Sequence, residues 1–304
     1  MSTIELHNIV KTYNKGSVKA VTEVSLAVAT GELFGLIGPD GAGKTSIFRV
    51  LTTLLLADSG TATVNGYDVV KDYKAIRQCI GYMPGRFSLY QDLTVEENIN
   101  FFATLFGTTL EQNYDLVKDI YVQIEPFKKR RAGQLSGGMK QKLALCCALI
   151  HKPAVLFLDE PTTGVDAVSR KEFWDMLKRL KQQGITIMVS TPYMDEATLC
   201  DRIALMQAGK ILSVNTPARI IEAFPGKLYA AKAAGTSKLL RDVRAYPPAL
   251  DVYAFGEYVH IVFKNEEGNT AHLIEYLHSQ GHADAEIKEI KPAIEDCFIR
   301  LLKQ

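Results

Sequence analysis

The run Gly38-Pro39-Asp40-Gly41-Ala42-Gly43-Lys44-Thr45 matches the spacing G-x-x-x-x-G-K-[ST]. The chemistry such a run supports is the capture of a polyphosphate. Gly38, Gly41 and Gly43 permit a tight backbone path that turns N–H groups inward, forming a cage for phosphate oxygens. Lys44 is placed to bridge β- and γ-phosphates. Thr45 offers a hydroxyl to Mg²⁺ at the positive N-terminus of a following helix. Pro39, Asp40, Ala42 and Ser46 complete the candidate nucleotide-contacting set.

Two acids form a second group. Val155-Leu156-Phe157-Leu158 is an apolar strand that runs into Asp159 and Glu160. Asp159 projects from the strand's C-terminal end toward the phosphate loop, where it can hold Mg²⁺ directly or through water. Glu160 is the candidate to polarise an attacking water. Taken alone, such a pair reads equally as a cap on the next turn. The flanking Leu156-Phe157-Leu158 and Pro161-Thr162-Thr163-Gly164 favour the catalytic reading. Between loop and acids lies Leu135-Ser136-Gly137-Gly138. Ser136 is a good N-cap, and Gly137 and Gly138 let an anion approach the first free N–H groups of a helix running to Ile150. Glycines kept only for helix packing are the alternative.

The elements that must position these groups alternate between strand and helix. Residues 3–13 and 18–28 read as an antiparallel pair, and Leu33–Ile37 as a strand entering the loop. Ile47, Val50, Leu51 and Leu54 recur at helical spacing, with Ser59-Gly60 expected to end that helix. Asn65-Gly66 signals a tight turn. Residues 86–150 read as a mostly helical insertion, in which Thr94 and Glu97 form a capping box. Strands return at 155–158, 186–189, 203–206 and 210–214. This alternation predicts an α/β fold with a mainly parallel, covered sheet. Beyond Phe224-Pro225-Gly226 the order becomes strand, helix, strand, strand, helix, strand and a last helix from Ala293, a small ferredoxin-like α+β module. The expected domains are 1–223 and 224–304.

Composition narrows the function classes. With 304 residues, 47% hydrophobic and 23% charged, the chain suits one full domain and a smaller one. A net charge of +1 gives no reason to expect nucleic-acid binding. The run Lys128-Lys129-Arg130-Arg131 reads as a solvated turn. The five cysteines show no metal spacing, Cys146 and Cys147 read as packed thiols, and no secretory leader is evident; together these imply a reducing cytosol. No apolar run approaches the roughly 20 residues needed to span a bilayer. The longest, Leu51–Ala57 and Leu143–Ile150, are of buried-helix length. Any spanning helices must come from a separate chain.

The combination of motifs resembles the ATP-binding cassette (ABC) ATPases. Val155 to Asp166 is similar to their Walker B strand and D-loop, the latter at Gly164-Val165-Asp166. Ser136-Gly137-Gly138 resembles their signature. The resemblance implies ATP and Mg²⁺ as ligands and ATP hydrolysis as the activity. It further implies a head-to-tail dimer of this chain or with a related ABC subunit, in which Ser136, Gly137 and Gly138 serve the nucleotide held by the other subunit. It gives Tyr13 the role of stacking on adenine, although on residue type alone Tyr13 is an ordinary strand aromatic. It also implies a membrane permease subunit docked in a groove, and hence a place on the cytoplasmic face of a membrane. Phe87, Leu89, Tyr90 and the helix capped at Thr94 are the candidates to line that groove, with ordinary packing of the insertion as the alternative reading. The terminal run Pro292 to Leu301 resembles the tail of ATP-binding subunits of ABC-2-type exporters, which points to export.

Two positions depart from the pattern. Gly85 stands where a Gln is usual, and Pro192, which suits the first turn of a helix, stands where a His is usual. Positioning of the nucleophile and of charge is most of phosphoryl-transfer catalysis, so slow or partner-dependent hydrolysis is expected. Three function classes follow: a transport motor, a soluble ABC protein acting on ribosomes or DNA, and a hydrolysis-impaired, ATP-gated regulatory or assembly module. The second usually fuses two cassettes or carries long coiled-coil insertions, and neither occurs in this sequence. The motor leads, and the gated module is the alternative.

Overall fold

The computed structural model describes residues 2–264 and 270–303. The chain divides into two compact units, Met1–Ala218 and Arg219–Gln304.

The first unit is α/β. It opens with β1 (Ser2–Tyr13), β2 (Val18–Ala29) and β3 (Leu33–Ile37), followed by α1 (Lys44–Leu51), β4 (Ser59–Val64), β5 (Tyr67–Asp68), α2 (Tyr73–Cys79) and β6 (Ile80–Met83). The helical insertion holds α3 (Val95–Leu105), α4 (Tyr114–Ile124) and α5 (Gly137–Leu149). Then come β7 (Val155–Asp159), α6 (Ala167–Gln182), β8 (Thr186–Thr191), β9 (Arg202–Gln207), β10 (Lys210–Asn215) and α7 (Pro217–Glu222), the last crossing the division between units.

Two sheets result. An antiparallel sheet has the order β2-β1-β4-β5, and a six-stranded sheet runs β10-β9-β3-β8-β7-β6. All neighbours in the second are parallel except β10 on β9. Every residue of β3 and β7 is buried, as expected of parallel strands covered on both faces. Phe48 of α1 meets Phe157 of β7 edge-on at 5.9 Å, so the helix that follows the phosphate loop is packed onto the strand that ends in the two acids. The expected turn at Asn65-Gly66 is present, with φ of 51° and 79°, and so is the Thr94–Glu97 capping box.

Two local expectations are corrected. The helix after the loop does not run to Ser59-Gly60 but stops at Leu51. There the Thr52 hydroxyl bonds back to the Phe48 carbonyl at 2.8 Å, and Thr53 adopts φ 62°, which no helix can continue through. Leu54 and Leu56 are consequently 57% and 64% exposed, and residues 52–57 are not a buried helix. Ser59 and Gly60 belong to β4, where a Cβ on Gly60 would lie 2.4 Å from the Asn8 carbonyl oxygen of β1. The segment from Pro192, read as a helix first turn, is instead a bend before a 3₁₀ helix over Met194–Leu199.

The second unit contains β11 (Leu228–Lys232), α8 (Thr236–Ala245), β12 (Ala249–Phe255), β13 (Tyr258–Phe263), α9 (Thr270–Ser279), β14 (Glu286–Ile290) and α10 (Ile294–Leu301). Its antiparallel sheet has the order β12-β13-β11-β14, the arrangement of a βαββαβ module. Ala231, Leu239, Val243, Val259, Ile261, Leu273 and Leu277 form its core between sheet and helices. Asp296, 1% exposed, binds α10 to the sheet by accepting from His260 Nδ1 at 2.7 Å, the Tyr253 hydroxyl at 2.9 Å and the Ala293 amide at 2.7 Å.

Candidate functional site

β3 delivers the chain into the glycine-rich loop, and α1 begins at Lys44. Glycine is obligatory at two points of this path. A Cβ on Gly38 would lie 2.2 Å from the Met206 carbonyl oxygen, and one on Gly43, which has φ 110°, would lie 2.1 Å from that of Ala20. The loop therefore threads between β9 and β2 with no room for a side chain.

Lys44 is buried, and its ammonium is fully engaged. Nζ donates to the Gly38 carbonyl at 2.7 Å and the Pro39 carbonyl at 3.0 Å, and lies 3.1 Å from Glu160 Oε1. Ser46, in the first turn of α1, shares a 3.1 Å hydrogen bond with the Tyr13 hydroxyl. Tyr13 at the end of β1 is thus brought against the loop helix.

Asp159 ends β7 and is 2% exposed. Its Oδ1 accepts from the Ser190 hydroxyl at 2.5 Å. Ser190 faces Asp159 in the parallel β7–β8 register, and its hydroxyl and carbonyl oxygens both accept from the Glu160 amide, at 3.0 and 3.1 Å. Sequence reasoning did not single out Ser190. The available signal was a pair of hydroxyl residues, Ser190-Thr191, closing an otherwise apolar strand. Glu160 has φ 51°, a left-handed backbone that costs a non-glycine residue about 1–3 kcal/mol and persists where its surroundings hold it. Burial, followed by the nearby Asp159 charge, pushes the Tyr82 phenol up to about 12.

Gly85 lies beside these acids. A Cβ there would stand 3.1 Å from the Asp159 carbonyl oxygen and 3.8 Å from Glu160 Cβ. The position is close-packed against the candidate catalytic strand, yet it contributes no side chain.

Thr45 lies in the first turn of α1 and Asp159 closes β7, offering a hydroxyl and a carboxylate, both hard oxygen donors. Among the described residues, no group of three or more His, Cys, Asp or Glu could hold a metal by itself. Mg²⁺ takes most of its ligands from phosphate and water, so this sparse oxygen set fits it.

Ser136, Gly137 and Gly138 lie against different neighbours. Ser136 caps α5, accepting from the Met139 amide at 3.4 Å. The nearest atom to a Cβ on Gly137 would be the Gly164 carbonyl oxygen at 3.5 Å, and on Gly138 the Ser169 hydroxyl at 2.7 Å. The segment therefore packs on the turn and first residues of α6. Asp166 caps that helix through the Val168 and Ser169 amides at 3.1 and 3.0 Å; the Ser169 bonds hold its carboxyl below the usual range. The structure thus brings together Tyr13, the loop from Gly38 to Ser46, Asp159 and Glu160, whereas the Ser136 segment forms a second surface.

A cavity of about 570 Å³ lies between α3, α5 and β6, with Phe87, Leu89, Phe102, Phe106, Cys147 and His151 among its walls. Phe87 and Leu89 both line this cavity. Tyr90 instead packs edge-on against Phe101 at 4.9 Å and is half exposed. Among the described residues, no helix is long and apolar enough to cross a membrane.

Comparison with known proteins gives a consistent picture. Residues 21–163 match the family model described as "ABC transporter". The chain is 39% identical over 305 residues to YbhF of Escherichia coli (strain K12), named "Probable multidrug ABC transporter ATP-binding protein". That alignment covers 99% of this chain and 52% of YbhF, so the chain spans about half the length of that relative. It is 34% identical over 302 residues to the Nod factor export ATP-binding protein I of Rhizobium sp. (strain N33), covering 98% of this chain and 96% of the relative. The dimeric structure of MJ0796, a bacterial ABC transporter cassette, is similar at TM-score 0.63 and 25% identity, over 70% of this chain and 98% of that one.

Proposed function

The chain belongs to the ABC transporter ATP-binding family, and from that premise we propose that it hydrolyses ATP to drive transport through a separate membrane subunit. The observation that carries the proposal is the Lys44 ammonium, buried between the loop carbonyls of Gly38 and Pro39 and 3.1 Å from Glu160. A cation held where β- and γ-phosphates would lie, touching a carboxylate beside Asp159, is the charge arrangement that phosphoryl transfer requires.

In this reading the loop amides from Pro39 to Ser46 cradle the phosphates, and Lys44 exchanges its carbonyl partners for phosphate oxygens. Tyr13 supports the adenine. Thr45 and Asp159 would hold Mg²⁺, which when bound neutralises phosphate charge. Glu160 orients and polarises the attacking water, its backbone fixed by Ser190. Ser136 and the free amides at Gly137 and Gly138 clamp the γ-phosphate of a nucleotide held by a second subunit. That related cassette having been solved as a dimer supports this geometry. The cavity lined by Phe87 and Leu89 receives a helix of the permease, which keeps the protein at the cytoplasmic face of a membrane. The names of the two relatives, a multidrug transporter protein and a Nod factor export protein, support export as the direction.

A second reading has its own support. Gly85 and Pro192 supply no polar side chain where the family usually has Gln and His, which favours a cassette that binds ATP and closes but turns it over slowly. Glu160→Gln, examined by gel filtration with ATP and by single-turnover hydrolysis, tests both. The motor reading expects the variant to accumulate as an ATP-bound dimer, with wild-type turnover well above it. Fast turnover left unchanged by the substitution overturns the role of Glu160, whereas a wild type that forms the ATP-bound dimer yet hydrolyses ATP as slowly as the variant selects the gated module.

A further inference from the structure

One buried carboxylate ties the segment after Glu160 to the segment that carries Pro192. Glu196 lies in the 3₁₀ helix Met194–Leu199 and is 2% exposed. Its Oε1 accepts from the Thr162 hydroxyl at 2.8 Å, and its Oε2 from the Thr191 hydroxyl at 2.5 Å. Both threonines are buried. The Thr191 oxygen in turn accepts from the Tyr193 amide at 3.1 Å. The countercharge comes from Arg170 in the first turn of α6, whose Nε is 3.6 Å from Glu196 Oε1. The Arg170 guanidinium also lies 4.1 Å from the centre of the Tyr193 ring, and its buried Nε has no hydrogen-bond partner among the described residues.

Both tethers end next to the candidate catalytic groups. Thr162 is two residues beyond Glu160. Thr191 follows Ser190, which holds the Asp159 carboxylate and the Glu160 amide. Glu160 keeps a left-handed backbone at φ 51°, a conformation that needs restraint on both sides. Ser190 supplies it before the turn, and the Glu196–Thr162 bond supplies it after. Elsewhere in this segment Pro192 offers no polar side chain.

We propose that Glu196 is a positioning residue for ATP hydrolysis: by accepting from Thr162 and Thr191 it locks the turn after Glu160 onto the end of β8, keeping the Glu160 carboxylate aligned with Lys44. The inference rests on the ATPase reading of Glu160. A purely structural ion-pair network would lower stability when cut, without separating turnover from binding.

The test uses the full chain and three variants, Glu196→Gln, Thr162→Val and Thr162→Ser, in steady-state hydrolysis of Mg²⁺-ATP and titration with a fluorescent ATP analogue. Glutamine keeps the volume but cannot accept from both hydroxyls. Misplacing a catalytic group by about 1 Å costs up to about a hundredfold in rate. Glu196→Gln and Thr162→Val should therefore lower kcat about tenfold or more, with KM and analogue binding within about twofold of wild type. Thr162→Ser, which restores the hydroxyl, should rescue most of the rate. Unchanged kcat in both variants, a rate loss matched by weaker binding, or Thr162→Ser as slow as Thr162→Val overturns the inference. Should Glu196→Gln not fold, the Thr162 pair decides alone. Wild type and Glu160→Gln run alongside: a wild type that neither binds the analogue nor hydrolyses ATP overturns the ATPase reading, whereas an active wild type with a fast Thr162→Val overturns only the role of Glu196.

Discussion

Lys44 and Glu160 form an ion pair, with Nζ 3.1 Å from Oε1, although 116 positions of sequence separate them. The pair joins the start of α1 to the residue after β7, so the phosphate loop and the acidic strand share one charge centre. Lys44 is expected to bind the β- and γ-phosphates and Glu160 to orient the water beside them, so the pair marks the γ-phosphate end of the candidate site.

Lys44→Ala should weaken ATP binding by about tenfold to a hundredfold, the range for removing a hydrogen-bonded charge. Isothermal titration with Mg²⁺-ATP measures it. Affinity retained within about twofold would remove Lys44 from the phosphate site.

Ser136→Arg should spare nucleotide affinity and abolish ATP-dependent dimerisation. The segment packs against Gly164 and Ser169 rather than on the loop that holds Lys44, so a bulky cation there obstructs a partner and not the bound nucleotide. Light scattering on the Glu160→Gln background, with and without ATP, reads the outcome. A dimer that persists would place the Ser136 segment outside the closing surface.

Asp296→Asn should destabilise the C-terminal unit by about 2 kcal/mol at neutral pH, the cost of weakening a buried hydrogen-bonded carboxylate. The loss should shrink on acidification. Burial by itself raises the Asp296 carboxyl, but hydrogen bonds from His260, the Ala293 amide and Tyr253 outweigh it and hold the group below its ordinary value. A depressed carboxyl stabilises the fold above its unfolded value, about pH 4, and loses that contribution as pH falls through the folded value. Unfolding midpoints of wild type and Asp296→Asn should therefore converge below about pH 4. Parallel curves down to low pH would contradict the assignment.

In the folded protein a thiol reagent such as DTNB should react promptly with Cys79 at most. Cys146, Cys147, Cys200 and Cys297 are buried, and burial pushes each of these thiols up, away from the reactive thiolate. Denaturant should release all five. Prompt labelling of Cys146 or Cys147 would mean that α5 is not packed as described.

Much of the cassette was legible because its signals are local. Leu33–Ile37 and Val155–Asp159 are short apolar runs bounded by turn residues, and Thr94 with Glu97 is a cap that needs no distant partner. The end of α1 was not legible: Leu54 continues the helical spacing, but Thr53 turns to φ 62° and the chain leaves the core. Periodicity shows which side chains are apolar, not where the backbone stops hydrogen-bonding to itself.

The sequence by itself determined the chemical inventory and its order: a phosphate loop, a capped Ser-Gly-Gly helix, an acidic strand end, and the missing polar groups at Gly85 and Pro192. Tertiary structure alone decided which groups meet. Ser190 reaches Asp159 across 31 residues only because β7 and β8 pair in one register, and Glu196 reaches Thr162 across 34 because the 3₁₀ helix folds back over the end of that sheet. A shift of one residue would turn Ser190 to the opposite face of the sheet. Residue types carry the chemistry that is possible, whereas strand register, a property of the whole sheet, selects the contacts that occur.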